Sequence, residues 1–257
     1  MREIRPVGAD EAEEFLQLLC TVFDLDYGRA HAIFFTEPLF DLKRKWALFD
    51  EGRLVSILTT VSLEFGWGKG IGIAGVATAL DAQRQGYATE LLRHVIAHSE
   101  AGGEGRILLF AKDQRVYGRI GFQPLDEVIR ADIAAKDDGT LSMDIDYGLV
   151  RRLYDEWSCA KDCRLRRDEL RWKYWRWNLR VCAPVDSGYY CMEGSTVREA
   201  VVEPPPREWI MPKGNDWFGL RRVADQLQLP LRNEQHELYL MGYNFPAAPE
   251  MFMTDQF

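Results

Sequence analysis

The sequence predicts an α/β protein in which helices pack on a mixed β-sheet. Between Val76 and Phe122 the hydrophobic periodicity alternates in the order strand, loop, helix, strand, helix, strand. The central strand of this block, Arg106 to Ala111, is a continuous apolar run typical of strands buried on both faces. A 47% apolar fraction and 12% aromatic residues supply core material for one or two compact units in 257 residues.

The composition also narrows the class of protein. A net charge of −8 disfavours a general binder of nucleic acids or anionic membranes. No apolar segment is long enough to cross a bilayer, and we expect a soluble, cytoplasmic protein. The five cysteines are irregularly spaced and have no matching histidine cluster, so we expect reduced thiols and no metal: Cys20, Cys159, Cys163, Cys182 and Cys191.

Before this block, the sequence predicts one strand, two helices and a long hairpin. In order, these are the strand Ile4 to Pro6, a helix from Glu11 to about Asp24 capped by Asp10, a short helix Arg29 to Phe35, and the hairpin strands Lys45 to Asp50 and Arg53 to Phe65. A glycine-rich turn, Gly66 to Gly72, leads to the strand from Ile71 to Thr78. The helix that follows, Ala88 to Ser99, has one apolar face.

Later in the chain the patterns are weaker. The predicted helices are Asp144 to Cys159, Arg166 to Trp177 and Asp216 to Leu227, and the predicted strands are Ser187 to Glu193, Val197 to Glu203, Glu208 to Met211, Glu237 to Tyr243 and Met251 to Thr254. This order of hairpin, helix and strands resembles a second, incomplete copy of the first half.

The loop Gln83 to Ala88, with the sequence Q-R-Q-G-Y-A, lies where a strand leads into a helix. Backbone N–H groups at a helix N-terminus lack intrahelical partners, and together with the helix dipole they attract anions. Gly86 has no side chain to keep a ligand away from the backbone. We therefore expect a diphosphate-bearing ligand at this turn.

With Gln83, Gly86 and Ala88 in place, the loop resembles the pyrophosphate loop Q/R-x-x-G-x-G/A of the GNAT superfamily of N-acetyltransferases. The strand before it, Gly75 to Thr78, and a Tyr117 placed four residues before the pair Gly121-Phe122 are also similar to that family. The resemblance implies a GNAT acyl-CoA N-acyltransferase fold of element order β-α-α-β-β-β-α-β-α-β over residues 1–130, as an acetyl-CoA-binding catalytic domain.

Residues 131–257 resemble a degenerate, GNAT-like second half without a second coenzyme loop. The whole is similar to tandem-GNAT proteins, including the enhanced-intracellular-survival type, without the third domain of that type.

For the coenzyme, the resemblance implies that the pantetheine arm of acetyl-CoA pairs with the exposed backbone of the strand at Val76 and Thr78, as strand addition does in other proteins. Alternatively, this segment is a plain sheet strand. Arg84 is expected to add positive charge at the phosphates, and the alternative is a solvated loop arginine. The expected cofactor-binding residues are Val76, Ala77, Thr78, Gln83, Arg84, Gln85, Gly86, Tyr87, Ala88 and Thr89.

For catalysis, the resemblance assigns Tyr117 as the general acid that protonates the departing thiolate, and a packing role is the alternative. The base is left open among a carboxylate, a histidine and a water chain. Glu64, at the end of the hairpin strand, is the candidate we select, and His31 is a second one. Both can equally be ordinary surface residues.

A basic stretch, Lys161 to Arg180, carries eight basic against three acidic residues, with four aromatic residues interleaved. Single-stranded nucleic-acid grooves combine such residues. On a helix, however, one face is formed by Leu165, Trp172, Trp175 and Leu179. The overall negative charge favours the interpretation that this face is buried and that the arginines are paired.

We therefore expect an enzyme that transfers the acetyl group of acetyl-CoA to a primary amine, carried by a small molecule or a peptide, by direct attack in a ternary complex. The acidic composition is compatible with a cationic acceptor such as a polyamine, an aminoglycoside-like amine or a lysine side chain. A non-catalytic acyl-CoA-binding regulator and an RNA-associated acyltransferase are the alternatives. The sequence leaves open the acceptor, the acyl-chain length and whether the chain forms a homo-oligomer.

Overall fold

The structure is a computed structural model that describes residues 1–136, 145–178, 180–211 and 215–257. Its strands are β1 (Arg2–Pro6), β2 (Lys45–Asp50), β3 (Arg53–Phe65), β4 (Gly68–Thr78), β5 (Arg106–Ala111), β6 (Gln123–Ile133), β7 (Leu165–Arg166), β8 (Val181–Val185), β9 (Gly188–Glu193), β10 (Thr196–Val202), β11 (Asp216–Leu220) and β12 (Leu231–Tyr243). Its α-helices are α1 (Ala12–Phe23), α2 (Tyr27–Phe34), α3 (Tyr87–Ala101), α4 (Gln114–Gly118), α5 (Tyr147–Cys159), α6 (Glu169–Trp177) and α7 (Arg221–Gln226).

These strands form one twelve-stranded mixed sheet. Its order is β1-β2-β3-β4-β5-β12-β6-β11-β10-β9-β8, and β7 pairs with β3 at the side. The pairs β4·β5 and β10·β11 are parallel, and the other pairs are antiparallel. Strand β12 lies between β5 and β6, so residues 231–243 complete the sheet that the first half of the chain begins.

Helices cover both faces of the first half of the sheet. Helix α3 packs with Leu91 and Val95 on one face, against residues of β2 to β5. Helices α1 and α2 pack on the opposite face, where Phe15 and Phe34 are stacked with ring centroids 5.9 Å apart. Successive residues of a strand point to opposite faces, so each strand supplies both cores.

The start of α1 is fixed by a charged clamp. Glu11 accepts hydrogen bonds from both terminal nitrogens of Arg5, at 2.6 and 2.7 Å, and from the N–H of Gly8, at 2.7 Å. The hydrogen bond from Arg5 lowers the pKa of Glu11 to about 2, against the effect of burial. The clamp joins the end of β1 to the helix that covers the sheet.

Most predicted elements of the first half are present, whereas parts of the second half differ. The segment predicted as a helix from Asp216 to Leu227 is strand β11 followed by the short helix α7. Trp217 is buried, and β11 pairs with both β6 and β10, so sheet contacts outweigh the amphipathic pattern. The predicted strands 208–211 and 251–254 are absent: the first forms a single bridge through Ile210, and the second ends in a 3₁₀ turn.

The expectation of reduced thiols is wrong for one pair of cysteines. Cys182 and Cys191 are directly opposite each other on β8 and β9, with Cα atoms 4.2 Å apart, and form a disulfide. Cys20, Cys159 and Cys163 are free. The register of the hairpin, which the spacing of cysteines does not reveal, brings the pair together.

One side of the basic stretch Lys161 to Arg180 is interior, as the core interpretation predicts, whereas Lys161, Lys173 and Arg176 are exposed. Leu179 lies outside the described residues. Leu165, Trp172 and Trp175 are buried in the hydrophobic core formed largely by the second half of the chain. Arg164, Arg167 and Arg171 are buried with them. These three arginines are therefore not available to a nucleic acid.

Arg167 is the centre of a buried ionic network. Its side chain is fully buried between Glu199 on β10 and Asp255, and its Nε donates to Asp255 Oδ1 at 2.9 Å. Glu199 also accepts hydrogen bonds from the hydroxyl of Tyr189, at 2.6 Å, and from the indole of Trp175, at 3.0 Å. The network ties residue 255 to α6 and to the second half of the sheet.

Replacing Arg167 with leucine leaves Glu199 buried without its cation and leaves Asp255 with Arg171 alone, whose Nη1 is 3.8 Å away. We expect the free energy of unfolding to fall by about 3–5 kcal/mol, measured by urea denaturation. Arg207→Leu is the matched control, because Arg207 is exposed, and it should change stability little. A loss below about 1 kcal/mol for Arg167→Leu would contradict the role given to the network.

Glu11→Gln tests the clamp through pH. Because the pKa of Glu11 is lowered in the folded protein, its ionised form stabilises the fold above the ordinary carboxyl pKa, and this stabilisation is lost as the pH falls towards 2. Since Arg5 is partly exposed, we expect the free energy of unfolding of the wild type to exceed that of Glu11→Gln by about 1 kcal/mol at pH 7. Urea denaturation from pH 7 to pH 3 should show this difference shrinking below about pH 4.5; a difference that grows on acidification would refute the clamp.

Candidate active site

The two parallel strands β4 and β5 part in the middle of the sheet. Their pairing begins at Gly70 and Arg106 and ends at Ile73 and Leu109, although β4 continues to Thr78. At the same level, the pairing of β4 with β3 is irregular. Ala74, Ala77 and Thr78 are therefore paired with β3 on one side, Gly75 and Val76 lie in the irregularity between them, and residues 74–78 have no β5 partner on the other side.

Thr78, at the end of this open edge, is held from two sides. The buried hydroxyl of Ser56 lies 2.9 Å from the hydroxyl of Thr78 and donates to the carbonyl of Ala77 at 3.0 Å. The side-chain amide of Gln83 donates to the carbonyl of Thr78 at 3.3 Å. Gln83 thus closes the connection between the strand and the next helix.

The loop between them has the backbone of an anion site. Arg84 and Gly86 both adopt positive φ, at 64° and 86°, and Gly86 is the N-cap of the fifteen-residue helix α3. No side chain caps this helix N-terminus. The N–H groups of Tyr87, Ala88 and Thr89 have no intrahelical acceptor, so they are available to a ligand with negative charge.

The side chains predicted to bind coenzyme are not equivalent. Arg84 and Gln85 are exposed, whereas Ala88 and Thr89 are half-buried. Tyr87 turns into the core, where its hydroxyl donates to Asp50 at 2.6 Å. Tyr87 therefore offers a ligand only its main chain, and its side chain fixes the start of α3 to β2.

Tyr117 lies on α4, which directly follows β5. Because β4 and β5 are parallel, the segments after them emerge at the same edge of the sheet, and α4 shares that edge with the loop at Gly86. The ring of Tyr117 packs edge-on against Phe122, with centroids 6.1 Å apart. Its hydroxyl has no hydrogen-bond partner among the described residues, and burial raises the pKa of the phenol.

Glu64 does not join these residues. It pairs with Lys69 at the opposite end of β4 from Thr78, and its side chain is exposed. The alternation along β3 places Glu64 on the face of Ser62, away from Thr59 and Val61. His31, on α2, bonds to Glu13 at 3.0 Å and is half-exposed.

Thr59 and Val61 line a cavity of about 590 Å³ between the sheet and helices α1 and α2. Ala74 and Gly75, at the point where β4 leaves β5, also line it. Most of the wall is apolar, formed by side chains such as Leu16, Leu19, Ile33, Phe34, Leu39 and Val61. Strand β4 therefore provides both the open edge and part of the cavity wall.

The cavity contains one pair of opposite charges away from solvent. Lys45 is buried, and its Nζ lies 3.7 Å from Glu37 and 4.8 Å from the ring centroid of Phe34. Burial raises the pKa of Glu37 and lowers the pKa of Lys45, and each group partly offsets the shift of the other. Lys45, Thr59 and Ala74 are neighbours across three strands, so Lys45 is about 10 Å from Ala74.

Residues distant in sequence close the cavity. Tyr174 on α6, Gln256 and Phe257 contribute to its wall. The ring of Phe257 lies over Gly72, where a Cβ atom would come within 2.5 Å of it, and is 5.4 Å from the ring of Phe110. Neither these residues nor the pair Glu37–Lys45 was predicted from the sequence. The one available signal was Gly72, because a glycine within a buried strand often marks the close approach of another group.

Within the described ranges there is no group of three or more His, Cys, Asp or Glu side chains that could hold a metal ion. No helix of that part of the chain is both long and apolar enough to cross a membrane.

Comparisons with known proteins concern the family and the fold. The family model of the acetyltransferase (GNAT) domain matches residues 3–125. The sequence matches no curated protein. Among solved structures, a GCN5-related N-acetyltransferase from Anabaena variabilis is 14% identical with a TM-score of 0.67, over 94% of this chain and 72% of that one.

Two other solved structures are similar. Eis1 from Mycobacterium abscessus is 14% identical with a TM-score of 0.61, over 93% of this chain and 73% of its own. A putative acetyltransferase from Pyrococcus horikoshii is 13% identical with a TM-score of 0.60, over 97% of this chain and 91% of its own. These likenesses concern the fold, and with them the predicted fold class is confirmed. Residues 3–125 match the model of the acetyltransferase (GNAT) domain, and the mixed α/β sheet of the chain has the fold of these GNAT structures.

Proposed function

We propose that the protein is an acetyl-CoA-dependent N-acetyltransferase that acetylates a primary amine held in the cavity under α1 and α2. The observation that carries this proposal is the open edge of β4. It runs from the cavity wall, at Ala74 and Gly75, to the uncapped helix N-terminus at Gly86. One extended ligand with an anionic end and a reactive end would fit such a path.

In this proposal, the diphosphate of acetyl-CoA binds the backbone N–H groups that begin α3, with Arg84 beside it. The pantetheine arm pairs with the main chain of β4 at Val76 and Thr78, on the side without a β5 partner, in the way that an added strand does. The thioester then lies towards Ala74, next to the cavity. Thr78 and the loop are rigid because Ser56 and Gln83 hold them.

The amine, in its neutral form, attacks the carbonyl carbon of the thioester, and a C–N bond forms. The C–S bond then breaks, and the sulfur leaves as a thiolate that must be stabilised or protonated. Tyr117 is the acid in this step, since a phenol is protonated at neutral pH and its hydroxyl has no other hydrogen-bond partner among the described residues; burial raises its pKa further. No enzyme nucleophile takes part.

The proposal gives Glu64 no role as the base, because its carboxylate is on the face of the sheet away from the cavity. The attacking amine loses its proton on the cavity side, and the proposal assigns Glu37 as the acceptor. Among the described residues, Glu37 is the one lining carboxylate whose pKa is raised by burial, which suits it to take up a proton.

Tyr117→Phe keeps the ring that packs on Phe122 and removes the proton donor. We expect kcat for CoA release to fall at least tenfold, about 1.4 kcal/mol of barrier, with an unchanged Kd for acetyl-CoA. Tyr243→Phe is the matched control: its ring also contacts Phe122, at 5.7 Å, and its hydroxyl bonds to Glu100 instead. Equal kcat values for wild type and Tyr117→Phe would remove Tyr117 from the chemistry.

Gly86→Ala tests the anion site. No atom lies within 4 Å of a Cβ added at Gly86, so in the free protein the substitution costs only the positive φ, about 1–2 kcal/mol. In the complex the methyl group meets the diphosphate, and we expect the Kd for acetyl-CoA, measured by isothermal titration calorimetry, to rise at least about tenfold.

Gly103→Ala is the control for this experiment. Gly103 follows the other end of α3, with a φ of 78° and nothing within 4 Å of an added Cβ atom. It should therefore cost similar stability and leave acetyl-CoA binding unchanged. Equal loss of affinity in both variants would show that the effect comes from helix α3 as a whole and would contradict the site.

A further inference from the structure

The wall of the cavity indicates the kind of amine that it accepts, an inference that rests on the proposed transferase function. Leucine, isoleucine, phenylalanine and valine side chains from α1, α2 and β3 form most of it. Its volume of about 590 Å³ is in the range of sites for small molecules. A ligand that fills it exchanges water for apolar contact over most of its surface.

The charged groups deep in the cavity are already paired. Lys45 and Glu37 face each other, and Lys45 also lies over the aromatic rings of Phe34 and Phe40. Both pKa shifts are towards the neutral forms, as expected for a poorly solvated pair. This pair leaves little capacity to satisfy several further hydroxyl or ammonium groups of a ligand.

Free charges are at the solvent side of the cavity. Asp24 and Arg29 line it, are exposed, and form no ion pair within the described part of the chain. Asp26 is also exposed, but its carboxylate caps α2 by accepting from the N–H of Arg29 at 2.8 Å. These three side chains together carry one net negative charge, which weakly attracts a cationic amine at the entrance, while the interior favours an apolar body.

Apolar surface continues from the cavity to its rim. Leu25 and Ile33 line the cavity and are nevertheless 48% and 50% exposed. Half-exposed apolar side chains at the mouth of an apolar cavity extend the area that a ligand can cover. A polyhydroxylated or polycationic molecule would lose water there without gaining hydrogen bonds, which costs free energy.

We propose that the acceptor is a primary amine on an apolar alkyl or aryl body, bound with that body against Leu16, Ile33, Phe34 and Val61. Polyamines and aminoglycosides are then poor acceptors. In the reaction, the amine nitrogen of this molecule gains the acetyl group, and CoA leaves as the thiol after taking up a proton.

The test measures CoA release from acetyl-CoA with 2-phenylethylamine and n-hexylamine, against spermidine and kanamycin. We expect kcat/KM for the two apolar amines to be at least about tenfold higher. The reverse order would overturn the inference while leaving the transferase function in place.

Ile33→Asn provides the matched variant, since this exposed position tolerates a polar side chain. It should raise KM for 2-phenylethylamine about threefold to tenfold, with an unchanged Kd for acetyl-CoA. Val181→Asn, at a similarly exposed apolar residue on β8, should change neither. An unchanged KM in Ile33→Asn would contradict the assigned cavity.

If no amine is turned over although acetyl-CoA binds, the proposed function fails, and calorimetric titration of 2-phenylethylamine into the CoA complex decides the ligand class separately. Binding that Ile33→Asn weakens supports the inference, and absence of binding overturns it.

Discussion

The strands β4 and β5 share hydrogen bonds only as far as Ile73 and Leu109, and the rest of the site depends on this limit. Beyond this point β4 is paired on one side only, whereas a central strand is normally hydrogen-bonded on both sides. The free side provides main-chain donors and acceptors, which in the proposed function pair with the coenzyme. A sheet that stayed paired as far as Thr78 would lack this free side.

The second half of the chain contributes to this site by position. Tyr174 and Phe257 close the cavity, and both belong to segments held by the network around Arg167. A buried ionic network is a poor source of stability compared with apolar packing, but its geometry fixes the segments that it joins. In this protein it fixes the segment that includes Asp255, and with it the ring that lies on Gly72.

The sequence was sufficient for features that depend on local backbone. The turn at Gly86 and the helix that carries Tyr117 follow from residue types at short spacing, and both are present. Pairings between distant segments could not be predicted in this way. The contact of Phe257 with the cavity, the face on which Glu64 lies and the register that joins Cys182 to its partner are all set by tertiary packing. The boundary expected near residue 130 stays a prediction, because a single sheet runs across it.

Strand β12 bears on how the chain reaches this fold during synthesis. It pairs with β5 through contacts such as Tyr239 with Ala111, and its other side pairs with β6. Until residues 231–243 have left the ribosome, β5 and β6 have no common neighbour, and each presents an unpaired edge to other chains. Pairings this far apart in sequence form slowly, because a long loop must close first. The sheet of the N-terminal half is therefore completed only after the C-terminal half has been synthesised.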